Sequence, residues 1–357
     1  MLNSVSGFIY ALLALSFLIF FHELGHFIAA RIFKVKVEVF SIGFGKKFLK
    51  KTWGGTEYCL SAIPLGGYVQ MKGQNDLNPN ERSGDFDSYN TKAPWQRVII
   101  LFAGPFANFL LAFLLYMAAA NIGIPSLSPQ IGAFLENSAA EEAGIQINDT
   151  IKAINNAEIN IWQDIKKVIN KSSNEVELWF LRDGELLNTK LTPKVLESKN
   201  IFGENIQERF LGIKPSGAVF NMRYGGLESV SYATDELAEA SILIFKSLQK
   251  LITGVVSPKE LGGIIAIVDL SGEVAKSGFV VFIIFIALIS VNLGVINLLP
   301  IPALDGGHII FNLYEMIFRK APNEKVFYYL TLAGWGLLLL LFAFTIYNDI
   351  ARILAAD

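Results

Sequence analysis

Four long apolar runs set what this chain can become, because about 20 residues with almost no charge are stable only across the hydrocarbon of a bilayer. They read as Gly7 to Ala30, Val98 to Ala120, Gly278 to Leu299 and Val326 to Tyr347. Of the 357 residues, 52% are hydrophobic and 17% charged, outside the usual range of a soluble domain. Backbone inside lipid must satisfy its own hydrogen bonds, so each run is predicted to be a helix. The first run is interrupted by Phe21-His22-Glu23-Leu24-Gly25-His26. An ionisable side chain at the bilayer centre costs at least about 2.5 kcal/mol, so three within five positions call for a compensating partner. On a helix His22 and His26 stand one turn apart and can reach the same ion, with Glu23 facing the adjoining coordination position. That is the H-E-x-x-H zinc pattern. Zinc held in this way lowers the pKa of bound water to about 7, and Glu23 can take the proton as the water attacks a carbonyl, which implies peptide-bond hydrolysis.

Charge orients the runs. The start of the chain lacks a basic cluster, whereas the stretch 31–97 carries eleven Lys and Arg (31, 34, 36, 46, 47, 50, 51, 72, 82, 92 and 97). This marks the loop as cytoplasmic and the amino terminus as outside, with His22 to His26 toward the cytoplasmic end of the first span. Within the loop, Val35 to Phe40, Tyr58 to Ile63 and Gly67 to Met71 read as short strands of a small sheet folding back on the membrane. An edge near Gly67 and Tyr68 is placed to pair with an extended peptide or to shape a rim. Asn75 to Lys92, rich in Asn, Asp and Ser, reads as mobile. The net charge is -2 and no basic stripe with interleaved aromatics stands out, so nucleic acid is not an expected partner. The single cysteine, Cys59, excludes an internal disulfide.

The spans organise the rest. Residues 1–120 are expected to hold the first two spans, at about 7–30 and 98–120, with the β-rich loop 31–97. Ala103-Gly104-Pro105 puts small residues where a neighbouring helix must come close, and Asn108 is available to a substrate or to that helix. Residues 121–220 read as one α+β module in the order strand, short helix, strand, helix, strand, strand. With the core Ala140-x-x-Ala143-Gly144-Ile145-x-x-x-Asp149 it resembles a PDZ domain, with Pro129 to Gly132 standing where such domains have their carboxylate-binding loop. Residues 221–278 read as a helical linker whose amphipathic part, Leu227 to Thr253, lies on the membrane surface or packs on the soluble module. Residues 279–357 hold spans three and four. Between these, Pro300 and Pro302 break the helix, and unwound backbone at membrane depth must face protein or a watery cavity. Asp305 follows at once. It can be the third zinc ligand or the N-cap of a helix over 306–318. His308, one turn on, can orient Asp305 or simply pack.

Phe21 to Phe27, Gly104-Pro105-Phe106-Ala107-Asn108-Phe109, the PDZ-like insert, and Asn297 to His308 together resemble the site-2 protease family of intramembrane zinc metalloproteases, in its regulator of sigma-E branch. The resemblance covers nearly the whole chain. It implies a polytopic α-helical membrane protein of about four spans in the bacterial inner membrane, with a cytoplasmic membrane-associated β loop, an extracytoplasmic PDZ-like domain and an active site near the cytoplasmic side. It also implies Zn2+ on His22, His26 and Asp305, and Glu23 as general base. Asn297, Asn292, Asn108, Gly67 and Tyr68 would contact the substrate or support the site. The substrates would be single-pass membrane proteins already cut outside, such as anti-sigma factors or signal-peptide remnants, with the bilayer as the other partner and no cofactor beyond zinc. The chain departs from the family in having room for one PDZ-like module where well-known bacterial members have two. Two rivals stay open: a non-catalytic receptor or scaffold built on PDZ-like binding, and a membrane-anchored zincin acting on soluble peptides.

Overall fold

A helix that is apolar on every face has no preferred buried side, so its position depends on its length and on where small residues let a neighbour approach. The computed structural model, which describes residues 2–74, 83–172 and 174–356, has four such helices among those residues: α1 (Leu2–Ile32), α2 (Pro94–Ile122), α7 (Phe279–Asn297) and α9 (Glu324–Ala356). Each is long and apolar enough to cross a bilayer. The chain divides into two compact units. One comprises Met1–Ala119, Gly226–Gln249 and Ser257–Asp357, the other Ala120–Gly225 and Lys250–Val256.

In the first unit, β1 (Val37–Trp53) and β2 (Thr56–Met71) follow α1. Three short strands were expected here. Instead, two long strands bend so sharply that they make a four-stranded mixed sheet, in which 39–42 runs parallel to 57–60 and the other neighbours are antiparallel. Residues 39–42 pair with 57–60 on one side and with 67–70 on the other, and 47–53 pair with 56–61 beyond them. The order is therefore 47–53, 56–61, 39–42, 67–70. The strand 47–53 escapes a periodicity reading because Lys47-Phe48-Leu49-Lys50-Lys51 does not alternate. As an outer edge with both faces largely exposed, it has no buried side to impose a period of two.

The expected mobility of residues 75–92 falls partly outside the described residues, at 75–82. From 83 onward the stretch is pinned. Lys72 pairs with Asp85 at 2.8 Å and Asp87 at 2.7 Å and holds both carboxyls below their ordinary range, Asn90 donates to the Ser83 carbonyl, and Tyr89 is buried.

The segment expected as one linker is two helices, α5 (Leu227–Ile252) and α6 (Ile264–Lys276). Ala233 and Ala240 of α5 are buried in one cluster with Ala112 and Tyr116 of α2 and Ala287 and Val291 of α7, so this face is covered by apolar helices rather than by the soluble module. The start of α6 is capped from far along the chain. Asp349 of α9, 3% exposed, accepts from the backbone N–H groups of Gly263, Ile265 and Ala266 at 3.0–3.2 Å. A carboxylate satisfies both the orphan amides and the helix dipole there. The helix α8 (Asp305–Phe318) lies between α7 and α9 in sequence.

The second unit holds a sheet in the order β6 (Ala157–Glu158), β5 (Thr150–Ile154), β7 (Val176–Arg182), β8 (Glu185–Leu191), with α3 (Ala139–Glu142) and α4 (Trp162–Lys171). Three strand pairs complete it: β3 (Ile124–Leu127) with β12 (Val219–Met222), β4 (Ile131–Phe134) with β11 (Ile213–Pro215), and β9 (Lys194–Lys199) with β10 (Asn205–Phe210). Its core gathers Ile131, Ala140, Ile145, Ile151, Ile154, Ile165, Leu178 and Leu211. The Ala-Gly-Ile-Asp signature has a physical reason. Ala140 and Ile145 are core, Gly144 takes φ +85°, and buried Asp149 accepts from Gln146 N–H and from Arg182 in a two-pronged pair at 2.7 and 2.9 Å.

Candidate metal centre

Helical geometry puts His22 and His26 of α1 on one face, and their Nε2 atoms are 3.3 Å apart. The break after α7 turns the chain so that Asp305 enters from the start of α8, with its Oδ2 3.3 Å from His22 Nε2 and 3.4 Å from His26 Nε2. Asp305 is not a cap: the N-cap position is Leu304, and no side chain caps the helix. Its Oδ2 is buried without a hydrogen-bond partner. On the α2 side, Arg97 pairs with Glu315 of α8 at 2.8 Å, which ties these two helices together.

The protons point away from the centre. His26 Nδ1 is 2.8 Å from the Ile100 carbonyl, which can only accept, so Nδ1 carries the hydrogen and Nε2 a lone pair. Fully buried Asn108 meets His22 Nδ1 at 3.2 Å through its amide group, and the Oδ1 of that amide is unpartnered. A half-turn of the amide, whose two ends are nearly indistinguishable by shape, gives His22 Nδ1–H the same kind of acceptor. With the outer nitrogens so engaged, two imidazole Nε2 atoms and a carboxylate oxygen face one point, a donor set suited to a cation. The spacing fits zinc. Tetrahedral ligands at about 2.0–2.1 Å stand about 3.3 Å from one another, close to the observed 3.3, 3.3 and 3.4 Å.

Glu23, 8% exposed, interacts with His22, His26, Asp305 and the backbone amide of Val69. The strand 67–70 therefore runs beside the acid. A Cβ at Gly67 would meet Ile19, the Ser41 carbonyl and Glu23 Cγ at 2.7–3.0 Å, so only glycine allows that approach. Tyr68 stacks on Phe44. Asn292 and Asn297 lie in the last turns of α7, partly exposed, and make no hydrogen bond to the three-residue cluster among the described residues. His308 packs on Phe311 and Phe327.

The helices α1 and α2 meet closely at Gly25 against the Ala103 carbonyl and at Gly104 of α2, where a Cβ would collide with His26 Nε2. Gly104→Ala is expected to displace the imidazole and reduce bound zinc per purified chain by about tenfold or more, since overpacking of this kind costs about 1–3 kcal/mol. Metal analysis checks this; full occupancy would show that α2 can shift without disturbing His26.

The Ile100 carbonyl and the Val69 amide are contributors that sequence reasoning misses, because backbone groups carry no signature in the residue types. Arg97 and Glu315 could have been suspected only as charges close to apolar runs.

Residues 10–341 match the model of peptidase family M50. The chain is 48% identical over 347 residues to a Campylobacter jejuni protein named "Putative zinc metalloprotease Cj1068", covering 97% of this chain and 94% of that one. It is 41% identical over 354 residues to a Helicobacter pylori protein named "Putative zinc metalloprotease", covering 97% and 100%. With the zinc metalloprotease RasP of Bacillus licheniformis the identity is 30% over 430 aligned positions, covering 99% and 100%. A histidine pair, a distant aspartate and a glutamate meeting among apolar helices, in a chain that matches along almost its whole length, are thus the marks of common descent: the chain belongs to peptidase family M50, the site-2 proteases.

Proposed function

We propose that this chain is an intramembrane zinc metalloprotease that cuts the transmembrane segments of single-pass membrane proteins after another protease has shortened them outside. The observation that carries the reading is the meeting of His22, His26 and Asp305 beside Glu23, on helices otherwise apolar. In this reading the three would hold Zn2+, which would supply Lewis acidity to a water and to the scissile carbonyl. Glu23 accepts the proton of the water and returns it to the leaving amine.

A helical substrate hides its carbonyls in its own hydrogen bonds, so it must unwind before it can be cut. The strand 67–70 pairs with 39–42 on one side, and adding the substrate to its other edge would hold an extended backbone next to Glu23. Asn292 and Asn297 are assigned to that substrate, and Asn108 to support of His22. The lysine- and arginine-rich stretch 31–97 supports a cytoplasmic loop, an amino terminus outside, and a site nearer the cytoplasmic face of the bacterial inner membrane. The unit Ala120–Gly225 is assigned as an extracytoplasmic PDZ-like recognition or exclusion module. What supports this is a groove lined by Trp162, Lys166 and Asn170 of α4 and by Leu211-Gly212-Ile213, beside β11, which among the described residues pairs with β4 alone. The loop expected at Pro129 to Gly132 does not line this groove; Ile131 and Gly132 belong to β4.

The test is reconstitution of the full chain in liposomes with a single-pass substrate lacking its outer domain. Cleavage within the span is expected, lost on chelation and restored by Zn2+. Cleavage of a soluble peptide carrying the same bond, with the embedded substrate left intact, would overturn the reading in favour of a membrane-anchored peptidase.

A further inference from the structure

The outer edge of the β sheet carries a feature that proteolysis does not use. Residues 46–53, Lys-Lys-Phe-Leu-Lys-Lys-Thr-Trp, hold four lysines and no acid, a local +4 in a chain of net -2. The run does not alternate and so gives no strand period in the sequence; what brings it out is its exposure along an outer edge strand. Lys46, Lys50 and Lys51 are exposed, while Lys47 is half-buried and paired with Glu57. Between them Phe48 and Leu49 are each 67% exposed and Trp53 is 73% exposed.

An edge strand protected against pairing needs lysines, but it does not need a phenylalanine, a leucine and a tryptophan standing in water. Interleaved cations and large apolar groups match one surface well: the boundary of an anionic leaflet, with phosphates at the level of the ammonium groups and acyl chains just below. The position fits. Arg31, in the last turn of α1, donates to the Gly54 carbonyl at 3.1 Å and to Thr56 Oγ1 at 2.8 Å, so the turn after Trp53 is tied to the point where the first apolar helix ends.

We infer that Lys46, Lys50 and Lys51, with Phe48, Leu49 and Trp53, form a docking surface for anionic phospholipid headgroups. This inference rests on the membrane-spanning reading of α1 and not on catalysis. Binding there anchors the sheet by its outer edge, while the opposite edge, at Gly67, stays beside Glu23.

Hydrogen exchange of the full chain in nanodiscs tests it. Exchange over residues 46–53 is expected to be about tenfold slower in discs containing phosphatidylglycerol than in pure phosphatidylcholine, with the difference lost in about 1 M salt. Equal exchange in both lipids would overturn the proposal, and this reading needs no variant. The triple change Lys46→Gln, Lys50→Gln, Lys51→Gln is expected to abolish the lipid difference while exchange across α1 stays as in the native chain. A persisting difference would also overturn it. So would slowing in phosphatidylcholine discs on addition of an RNA oligonucleotide to the extent seen with phosphatidylglycerol, which would assign the surface to nucleic acid. Because the readout is lipid contact, proteolytic activity can fail without affecting it.

Discussion

Glu23→Gln is expected to abolish cleavage of the embedded substrate, by about a thousandfold or more, while zinc per chain and thermal stability stay at native values. The size follows from the proton transfer that is lost, since a positioned general base contributes about 10²–10⁴-fold. The specificity follows from the site. Glutamine has the shape of glutamate, so the packing of this buried position against Gly67 is preserved. Nitrogen and oxygen ligands on His22, His26 and Asp305 are untouched. Removing a buried carboxylate also removes a desolvation cost, so the variant has no reason to unfold. A time course against the reconstituted substrate, with metal analysis on the same preparation, checks both halves. Native cleavage by this variant would refute the assigned base, and loss of zinc would move Glu23 into the ligand set.

Asp305→Asn is expected to weaken zinc binding by roughly a hundredfold or more. Zinc affinity of about 10–16 kcal/mol shared by four ligands is roughly 3 kcal/mol each, and the change removes the one anionic donor of the three. The outcome separates the two roles that Asp305 could have held. Because Leu304 occupies the N-cap position and the Asp305 side chain caps nothing, the metal-free variant should melt at the temperature of the metal-free native chain. A capping aspartate would show the reverse, with stability lowered and zinc retained. Competition with a chelator of known affinity, beside a melting curve, reads both quantities.

Much of the arrangement was legible in the residues, and the exceptions share a cause. The apolar runs and the pairing of His22 with His26 are local: a run of given length and a spacing of four mean the same thing in any helix. The strand 47–53 was missed because an edge with no buried face leaves no period. The inner seam of α5 was misplaced because its contacts are Ala233 and Ala240, small residues that hydropathy barely registers. The stretch Pro129 to Gly132, read as standing in the place of a carboxylate-binding loop, is not among the residues lining the groove of the second unit; local turn character cannot say which strand will stand beside α4, and Leu211 to Ile213 do so from another part of the chain.

By itself the sequence determined a membrane chain with two imidazoles one turn apart and an acid on its first apolar helix, since helix pitch and the cost of charge in lipid allow little else. Only the tertiary structure decided that Asp305 completes their triangle, that Asn108 and the Ile100 carbonyl take the outward nitrogens, and that Gly67 brings a strand edge against Glu23. Those contacts join segments far apart in the chain, and what selects them is the close approach permitted at Gly104 and Gly67, a property of packed surfaces that no single segment carries.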